Sequence, residues 1–410
     1  MILETIDTPE LLLPVVDVSD PEVTILVPAL NESVTVRQFV NWCKTGLREA
    51  GVEGEVLIVD SSSDETATIA LNAGARVLKV ARRGLGRAYI DAIPYVRGRY
   101  VILGDADCTY DFREITPFVN ELRAGANLVM GSRFRGSIER GAMPFHHRYL
   151  GSPGTTLLAD ILLGLRLTDI HCGMRAMSIE SLKSLNLQSQ GWEYASEMLV
   201  SAVRLGMIIK EVPVNFYKDM VGRVSHVKRQ GWTTPFKVGW RTAQLLMVAG
   251  ADFFLIPPGL MLSVVGSLAL LALSNGETQL LGIRFSLHSQ TFFLVGAAAG
   301  YLMFAFGYCL RCLHDRTDVL VATYRARFTL NRVIMVCAFS ILIGSWPISE
   351  FISNWKSNNY EVGEALKPLG HVAISSLGLV FFGIVFFIMT LAINSVHTYK
   401  KVTNEGKGLG

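Results

Sequence analysis

The chain has 410 residues, too many for one ordinary domain, and half of them are hydrophobic. Its formal net charge of +3 is too small to indicate a nucleic-acid partner. Its six cysteines are scattered, and no pair of them lies near histidines at the spacing of zinc ligands, which argues against a structural zinc site.

The N-terminal extension, residues 1–21, is acidic and contains neither lysine nor arginine. A secretory signal peptide begins with a basic region, so this extension is not expected to be one. We therefore expect the domain that follows to remain in the cytosol, where free cysteines persist.

Residues 22–217 show the pattern of an α/β domain, in which short apolar strands alternate with helices. Helices are expected at 33–50 and 87–97, and strands at 23–27, 55–59, 75–80, 100–103 and 127–130. Such alternation predicts a doubly wound, mostly parallel sheet, which binds ligands beyond the carboxyl ends of its strands. Asn31, Asp60 and Asp105 follow the first, second and fourth strands, so we expect them at one edge of the sheet.

Asp105 and Asp107 flank the small residue Ala106 directly after the fourth strand. Two carboxylates at this spacing can reach one hard divalent ion, which then also binds phosphate oxygens. An isolated pair of this kind also occurs by chance in solvated turns, but its position after a buried strand favours a metal site. The predicted cofactor is therefore Mg²⁺ or Mn²⁺.

Gly84 and Gly86 open the helix that precedes Asp105, as the glycines of a dinucleotide-binding motif would. However, Tyr89 stands at the third glycine position, and the strand before the motif is the third of the domain rather than the first. A phosphate-facing loop flanked by Arg87 is therefore preferred over a nicotinamide-dependent enzyme.

Beyond residue 250, four apolar stretches are long enough to cross a bilayer as helices. They occupy a predicted transmembrane domain at 251–396 and lie at 253–273, 292–313, 333–352 and 371–393. The opening turn of the first stretch is expected to be irregular or interfacial, because Pro257 and Pro258 lie near its start. Arginines concentrate between the second and third stretches, and the tail at 397–410 is basic, so both termini and the first domain are predicted on the cytoplasmic face.

The segment 218–250 joins the two halves and interleaves basic side chains with tryptophan and phenylalanine. This composition predicts amphipathic helices at the bilayer interface. Its cations serve either a general attraction to anionic headgroups or the binding of a phosphate attached to a lipid. The pattern does not separate these two interpretations.

Several motifs occur together in one order: Val27–Glu32, Val59–Asp64, Gly84–Ala88, Asp105–Asp107, Gly131–Phe134, Asp169–Arg175 and Glu193–Met198. They resemble the family-2 GT-A glycosyltransferases, in particular the polyprenyl-phosphate group of the dolichol-phosphate sugar synthase type. The resemblance covers about residues 22–245, and the motifs are specific as a set rather than singly. It implies an α/β GT-A catalytic domain followed by an α-helical transmembrane domain of four spans.

The resemblance also implies three groups of site residues. Those expected to contact the nucleotide-sugar are Pro28, Ala29, Asn31, Glu32, Asp60, Ser62, Gly86, Arg87, Asp105 and Ala106. Those expected to hold a lipid phosphate are Arg133, Arg148, Arg223, His226 and Lys228. The catalytic group comprises Asp107, Asp169, Glu197 and Arg133, with Asp105 and Asp107 as the metal ligands.

The chain departs from the pattern of this group at two positions. Thr109 stands where some relatives have a glutamine ligand, and His226 ends a motif that commonly ends in lysine. The first departure leaves the remaining metal ligands open, and the second leaves open which basic residue binds the phosphate. His146, His147 and His171 are expected to be structural or interfacial rather than catalytic.

The implied reaction is the inverting transfer of a hexose from a UDP- or GDP-linked sugar to a membrane polyprenyl phosphate, either undecaprenyl or dolichyl phosphate. No strong general base is required, because a phosphate monoester with a second pKa of about 6 is already a dianion near pH 7. A processive polysaccharide synthase fits less well, since neither Gln230 nor Gln244 begins the Gln-x-x-Arg-Trp motif of such enzymes. A non-catalytic scaffold or transporter would not need the aspartate pair. The sequence leaves a monomer and a homo-oligomer open.

Overall fold

The computed structural model of the chain describes residues 8–220, 222–223, 234–315, 318–363 and 366–407. The chain forms two compact units, which divide between Ala249 and Gly250. The helix Thr234–Ala249 lies in the segment predicted at the bilayer interface, and by its contacts it belongs to the first unit.

A mixed sheet of eight strands forms the centre of the first unit, as far as the described residues define it. The strands are β1 (Glu10–Leu12), β2 (Val23–Ala29), β3 (Gly54–Asp60), β4 (Arg76–Lys79), β5 (Tyr100–Leu103), β6 (Leu128–Ser132), β7 (Arg175–Ser178) and β8 (Ile209–Pro213). Their order across the sheet is β1-β4-β3-β2-β5-β7-β6-β8.

The central strands β4, β3, β2 and β5 are parallel to one another, and β6 is parallel to β8. The edge strand β1 and the inserted strand β7 are antiparallel to their neighbours. The predicted α/β domain with a mostly parallel sheet is therefore confirmed, and all five predicted strands are present.

Three strands lie outside that prediction, and β7 shows why. Its sequence, Arg-Ala-Met-Ser, contains a charged residue and no β-branched one, so it lacks the usual signal of a strand. Arg175 is nevertheless buried, because its guanidinium donates hydrogen bonds to the main-chain carbonyls of Ile170, Cys172 and Ala195.

Helices cover the sheet. They are α1 (Val36–Glu49), α2 (Thr66–Asn72), α3 (Leu85–Ala92), α4 (Thr116–Arg123), α5 (Ser152–Leu163), α6 (Ile179–Leu185), α7 (Tyr194–Arg204) and α8 (Thr234–Ala249). The predicted helix at 87–97 ends at Ala92 and continues as a 3₁₀ turn, Ile93–Tyr95, because Pro94 has no N–H to continue the α-helical pattern. A π-helical turn, His147–Gly151, precedes α5.

Both faces of the sheet are buried. Ile25 and Val27 of β2 pack in one hydrophobic cluster with Phe39 of α1, whereas Leu26 packs in the other cluster with Tyr89 of α3. Since successive residues of a strand face opposite sides, a strand covered on both faces is apolar throughout. The continuous apolar runs in the sequence follow from this arrangement.

Among the described residues of the second unit, four helices are long and apolar enough to cross a membrane. They are α9 (Ala251–Ala272), α10 (Leu287–His314), α12 (Leu330–Ser357) and the Lys367–Tyr399 part of α13 (Lys367–Lys407). The remaining described elements are β9 (Thr278–Leu280), β10 (Ile283–Phe285) and α11 (Val319–Arg327). The number of long apolar helices matches the four predicted spans, and the exact bounds of the spans stay a prediction.

The start of α9 differs from the prediction. The expected irregular turn at Pro257 and Pro258 is wrong, because the helix continues from Ala251 through both prolines. An interfacial position of this turn stays a prediction. Gly259 follows the prolines and packs so closely on α10 that a Cβ there would lie 2.6 Å from the backbone nitrogen of Phe304. We attribute the continuity of the helix to this packing, which compensates for the hydrogen bonds that the prolines cannot donate.

Candidate active site

A cavity of about 960 Å³ lies in the first unit, at the carboxyl ends of the parallel strands. Its wall includes Pro28 and Ala29 at the end of β2, Ser61 after β3, and Asp105 and Asp107 after β5. Parallel strands end at the same edge, so the sheet brings these separate segments together. The other predicted site residues in the wall are Glu32, Ala106 and Arg223.

Asp107 is held in a fixed orientation at this wall. Its Oδ1 accepts hydrogen bonds from the backbone nitrogen and the hydroxyl of Thr109, at 2.9 and 2.6 Å. Its Oδ2 lies 3.1 Å from Nη2 of Arg223. Burial raises the pKa of Asp107, whereas Arg223 and Thr109 act in the opposite direction. Thr109, at the position where some relatives have a glutamine ligand, thus orients the neighbouring carboxylate.

Asp105 lies in the same wall, and its carboxylate packs against Gly173. A Cβ at Gly173 would lie 2.7 Å from Oδ2 of Asp105 and 3.2 Å from the ring of Tyr110. The backbone nitrogen of Gly173 also donates a hydrogen bond to the Tyr110 hydroxyl at 2.9 Å. The loop that precedes β7 can therefore approach Asp105 this closely only because residue 173 has no side chain.

Arg223 forms the centre of a buried cluster of charges. Its Nε and Nη2 bind the two carboxylate oxygens of Glu32, each at 2.8 Å, and its Nη1 lies 2.5 Å from Asp219. Together with the contact to Asp107, one guanidinium faces three carboxylates. Arg223 was predicted to bind a lipid phosphate, and here its charge is balanced by acidic side chains of the cavity wall.

Asp60 is buried at the end of β3, beside the cavity rather than in its wall. Burial raises the pKa of its carboxyl group, and hydrogen bonds from Ser62 partly oppose this. Its Oδ1 is buried and has no hydrogen-bond partner among the described residues. An acceptor in this state fits a site that a ligand donor completes, since buried polar atoms are otherwise paired.

Asn31 and Ser62 join the loops that follow β2 and β3. The backbone nitrogen of Asn31 donates to the Ser62 hydroxyl at 2.7 Å, and Oδ1 of Asn31 accepts from the backbone nitrogen of Ser63 at 2.9 Å. Asn31 adopts a φ of 56°, a left-handed conformation that asparagine tolerates. Neither side chain is part of the cavity wall, so the two residues shape the loops that form it.

Arg133 and Asp169 bind each other instead of facing the cavity. Nε and Nη2 of Arg133 donate to the two carboxylate oxygens of Asp169 at 2.7 and 2.8 Å, and Asp169 has no exposed surface. His171 lies beside this pair, and burial, followed by the charge of Arg133, lowers its pKa to about 4. A direct contact of either predicted catalytic residue with a substrate stays a prediction.

Other predicted residues also lie outside the wall formed by the described part of the chain. Glu197 accepts hydrogen bonds from the backbone nitrogens of Gln188 and Ser189, and Arg87 forms an ion pair with Asp91 at 2.7 Å. Gly86 packs against the carbonyl of Ser189, and Arg148 lies 5.7 Å from the ring of Tyr149. His226 and Lys228 are outside the described residues.

The cavity wall contains residues that the sequence motifs did not indicate. They include His146, His147, Trp192, Lys218 and Asp219. His146 and His147 were expected to be structural or interfacial, and burial lowers the pKa of His147. Trp192 directly precedes the motif Glu193–Met198, and Lys218 and Asp219 begin the basic segment. Their proximity to these features was the signal that the sequence offered.

The two cavity aspartates suit a divalent ion of the predicted kind. Among the described residues, no group of three or more histidine, cysteine, aspartate or glutamate side chains could enclose a metal alone. Mg²⁺ commonly binds one or two carboxylates, and phosphate oxygens and waters complete its coordination. Asp105 and Asp107 fit such a shared site and do not fit a closed, all-protein one.

The chain is similar in sequence to proteins of known family. Residues 24–185 match the family model described as Glycosyl transferase family 2. The chain is 32% identical over 347 residues to the low-salt glycan biosynthesis hexosyltransferase Agl6 of Haloferax volcanii, which is 81% of each chain. It is 32% identical over 192 residues to the undecaprenyl-phosphate mannosyltransferase of Micrococcus luteus, covering 43% of this chain and 77% of that protein.

Among solved structures, glucosyl-3-phosphoglycerate synthase from Mycobacterium tuberculosis superposes with a TM-score of 0.44 at 22% identity. The match covers 56% of this chain and 80% of that chain.

Proposed function

The chain belongs to the family 2 glycosyltransferases, and we propose that it transfers a hexose from a UDP- or GDP-linked sugar to a polyprenyl phosphate of the undecaprenyl or dolichyl type. One observation carries the proposal. Asp105 and Asp107 line a cavity at the carboxyl edge of the sheet, in a chain whose described part also includes four helices long and apolar enough to cross a membrane. Two of the relatives, a hexosyltransferase and an undecaprenyl-phosphate mannosyltransferase, support it.

The donor would bind along the carboxyl edge of the sheet. Pro28 and Ala29 would contact the nucleoside. Oδ1 of Asp60, which lacks a hydrogen-bond partner in the described part of the chain, would accept a hydrogen bond from it. Asp105 and Asp107 would hold Mg²⁺ or Mn²⁺ against the diphosphate. When bound, the ion neutralises the charge that develops on the leaving nucleoside diphosphate.

The acceptor phosphate needs positioning more than activation. A lipid monophosphate with a second pKa of about 6 is already a dianion near pH 7, so its oxygen can attack without a strong general base. Lys218 lines the cavity and would offset the repulsion between acceptor and donor phosphates, and the imidazoles of His146 and His147 in the same wall would donate hydrogen bonds to a phosphate oxygen. In-line attack inverts the anomeric centre and gives a β-linked product from an α-linked donor.

We also propose that the first unit and both termini face the cytoplasm. The basic residues between α10 and α12 and in the tail support this orientation, because short cytoplasmic loops carry an excess of lysine and arginine. Nucleotide-sugars and polyprenyl phosphates would then meet at the same membrane face.

The purified full chain, incubated with radiolabelled nucleotide-sugars and undecaprenyl or dolichyl phosphate, tests the proposal. With Mg²⁺ or Mn²⁺ present, one labelled lipid-phosphate sugar is expected. A long labelled polymer would indicate a processive synthase instead, and the absence of transfer from every donor would contradict an enzymatic role with these acceptors.

A further inference from the structure

The cavity wall contains one aromatic residue that the proposed function leaves unused, Trp192. Residues 188–193 lie between α6 and α7 and form a loop, which we call the tryptophan loop. Trp192 is 36% exposed and is the one tryptophan in the wall formed by the described residues. An indole in a cavity that also holds carboxylates indicates contact with a ligand that is partly apolar, because aromatic rings gain free energy when they leave water.

Hydrogen bonds to α7 and α3 hold the backbone of the tryptophan loop. The carboxylate of Glu197 accepts from the backbone nitrogens of Gln188 and Ser189, at 2.9 and 2.8 Å. The carbonyl oxygen of Gln190 accepts from the backbone nitrogen of Arg87 at 3.1 Å. These contacts fix the chain shortly before the indole, so little free energy is lost in ordering the loop when a ligand binds.

Gly84 and Gly86 leave room for the tryptophan loop to lie against α3. A Cβ at Gly86 would overlap the carbonyl oxygen of Ser189 and would lie 2.8 Å from the Cβ of Tyr194. A Cβ at Gly84 would overlap the carbonyl oxygen of Gln190, and Gly84 has a φ of 118°, a conformation that other residues rarely adopt. The two glycines therefore help to position the tryptophan loop.

The tryptophan loop is anchored on the Asp105 side of the cavity. Tyr194, which directly follows the loop, stacks on Tyr89 with the ring centroids 4.6 Å apart. The Tyr89 hydroxyl donates a hydrogen bond to the carbonyl oxygen of Gly104 at 2.8 Å, and Gly104 directly precedes Asp105. Burial raises the pKa of Tyr194 to about 12, and the negative charge of Asp105 acts in the same direction. The loop therefore ends next to one of the two proposed metal ligands.

The covalent structure of a nucleotide-sugar indicates which part of it meets this loop. In the proposed function the nucleoside binds at Pro28 and Ala29, and Asp105 and Asp107 hold the diphosphate through the metal. The hexose is bonded to the second phosphate, so it lies beside the aspartates, at the end of the donor opposite to the nucleoside. Because Trp192 belongs to the loop anchored beside Asp105, we expect the hexose rather than the nucleoside against the indole.

A hexose has faces on which C–H groups project, and the face of an indole carries partial negative charge that attracts them. We propose that Trp192 stacks on such a face of the donor hexose and so determines which hexose the cavity accepts. An axial hydroxyl on the stacked face would hold the ring away, so a hexose epimer with that group loses the contact. This role of Trp192 rests on the proposed function, because it concerns the sugar of the proposed donor.

Calorimetric titration of the purified full chain in nanodiscs, with Mg²⁺ and without polyprenyl phosphate, tests this role. The probes are UDP-glucose, UDP-galactose, GDP-glucose and GDP-mannose, together with free UDP and GDP. Trp192→Ala should weaken the binding of the preferred nucleotide-sugar about 10-fold, and that of its free nucleoside diphosphate by less than about two-fold. The ratio of affinities between that nucleotide-sugar and its epimer should fall several-fold towards one.

Two further variants serve as controls. Trp192→Phe keeps an aromatic ring and should recover most of the lost affinity for the nucleotide-sugar. Trp240→Ala removes a tryptophan that is 61% exposed and lies outside the cavity wall, so it should change none of the affinities.

Two outcomes for Trp192→Ala would overturn the proposal while the unaltered chain still binds a nucleotide-sugar. Equal weakening of nucleotide-sugar and nucleoside diphosphate would mean that the indole contacts the nucleotide. Unchanged binding of both would mean that the indole contacts no part of the donor. If the unaltered chain binds none of the four nucleotide-sugars, the proposed function fails, and the role of Trp192 fails with it.

Gly86→Ala tests whether this glycine acts through Trp192. The added methyl group would overlap the carbonyl oxygen of Ser189, so the tryptophan loop must move. The variant should weaken nucleotide-sugar binding several-fold and nucleoside-diphosphate binding little, and the double variant with Trp192→Ala should bind no more weakly than Trp192→Ala alone. Gly154→Ala, whose Cβ meets no atom within 4 Å, is the control. Additive losses in the double variant would contradict a positioning role of Gly86.

Discussion

Asp60 shows that binding and stability make opposing demands on one residue. Its carboxyl group is buried at the end of β3, and one of its oxygens lacks a partner among the described residues. Burial raises its pKa above the ordinary value. When the pKa of a carboxyl group is higher in the folded state than in the unfolded state, the free energy of unfolding falls as the pH rises from the unfolded-state pKa to the folded-state pKa.

Asp60→Asn should therefore stabilise the first unit at pH 7, by about 1 kcal/mol, because the buried negative charge is removed. The gain should disappear below about pH 3.8, where Asp60 is protonated in the folded and unfolded states alike. Thermal unfolding followed by tryptophan fluorescence over this pH range measures the effect. The same variant should bind nucleoside diphosphate more weakly, and a variant that is both stabler and binds equally well would contradict this role of Asp60.

Gly173→Ala should weaken donor binding with little loss of stability. A Cβ at this position would lie 2.7 Å from Oδ2 of Asp105, so the carboxylate must turn away from its present position. If Asp105 is a metal ligand as proposed, moving its carboxylate should reduce sugar transfer roughly 10- to 100-fold. Gly154→Ala is the control, because a Cβ there meets no atom within 4 Å. Equal rates for the two variants would show that the close contact is unimportant.

Residue types in motifs predicted one part of the cavity wall well. Pro28, Ala29, Glu32, Asp105 and Asp107 were expected at the site and line it, because they follow strands whose ends are visible in the sequence. Arg133 was expected to meet a lipid phosphate, but its guanidinium binds Asp169. The sequence indicates that a buried arginine needs an anionic partner. It does not show whether the fold places a carboxylate of the chain or the phosphate of a ligand next to the guanidinium.

At the level of elements, the pair α9 and α10 packs through small residues. A Cβ at Gly300 of α10 would lie 2.5 Å from the backbone nitrogen of Ser263 and 2.7 Å from the carbonyl oxygen of Gly259 on α9. A Cβ at Gly266 would likewise lie 2.6 Å from the Cβ of Ala297. Helices in a bilayer gain little from the hydrophobic effect, so close backbone contact of this kind contributes much of their association.

Gly300→Ala should destabilise the α9–α10 pair by about 1–3 kcal/mol, because the added methyl group overpacks the contact. Gly296→Ala lies one turn earlier in α10 and meets no atom within 4 Å, so it should be neutral or slightly stabilising. Unfolding of the second unit by a denaturing detergent, followed by circular dichroism, compares the two variants. Equal midpoints would rule out the proposed importance of the contact at Gly300.

Elements were predictable where their apolar pattern is strong. The strands β2 to β6 and the four long helices described in the second unit are such cases. The edge strand β1 has only three residues, lies in the region predicted as an extension, and pairs antiparallel with β4. The strand β7 has no β-branched residue and depends on tertiary contacts of Arg175 for its burial. Short strands that are stabilised mainly by their neighbours leave little trace in the sequence.

For the whole molecule, the change in composition near residue 250 predicted the division into two units, which the structure places after Ala249. What composition could not predict is how distant segments complete the cavity. His147, Trp192 and Lys218 come from three separate segments and meet at one wall. Their convergence depends on the path of the chain between strands, which local patterns do not encode.

The central claim is that Asp107 binds the metal that holds the donor diphosphate, and a pair of matched variants tests it most directly. Asp107→Asn and Asp219→Asn each remove one carboxylate that faces Arg223 in the cavity wall. With the full chain folded and inserted in both cases, Asp107→Asn should lose transfer by about 100-fold or more, and Asp219→Asn by no more than a few-fold. A rate near that of the unaltered chain in Asp107→Asn would contradict the claim.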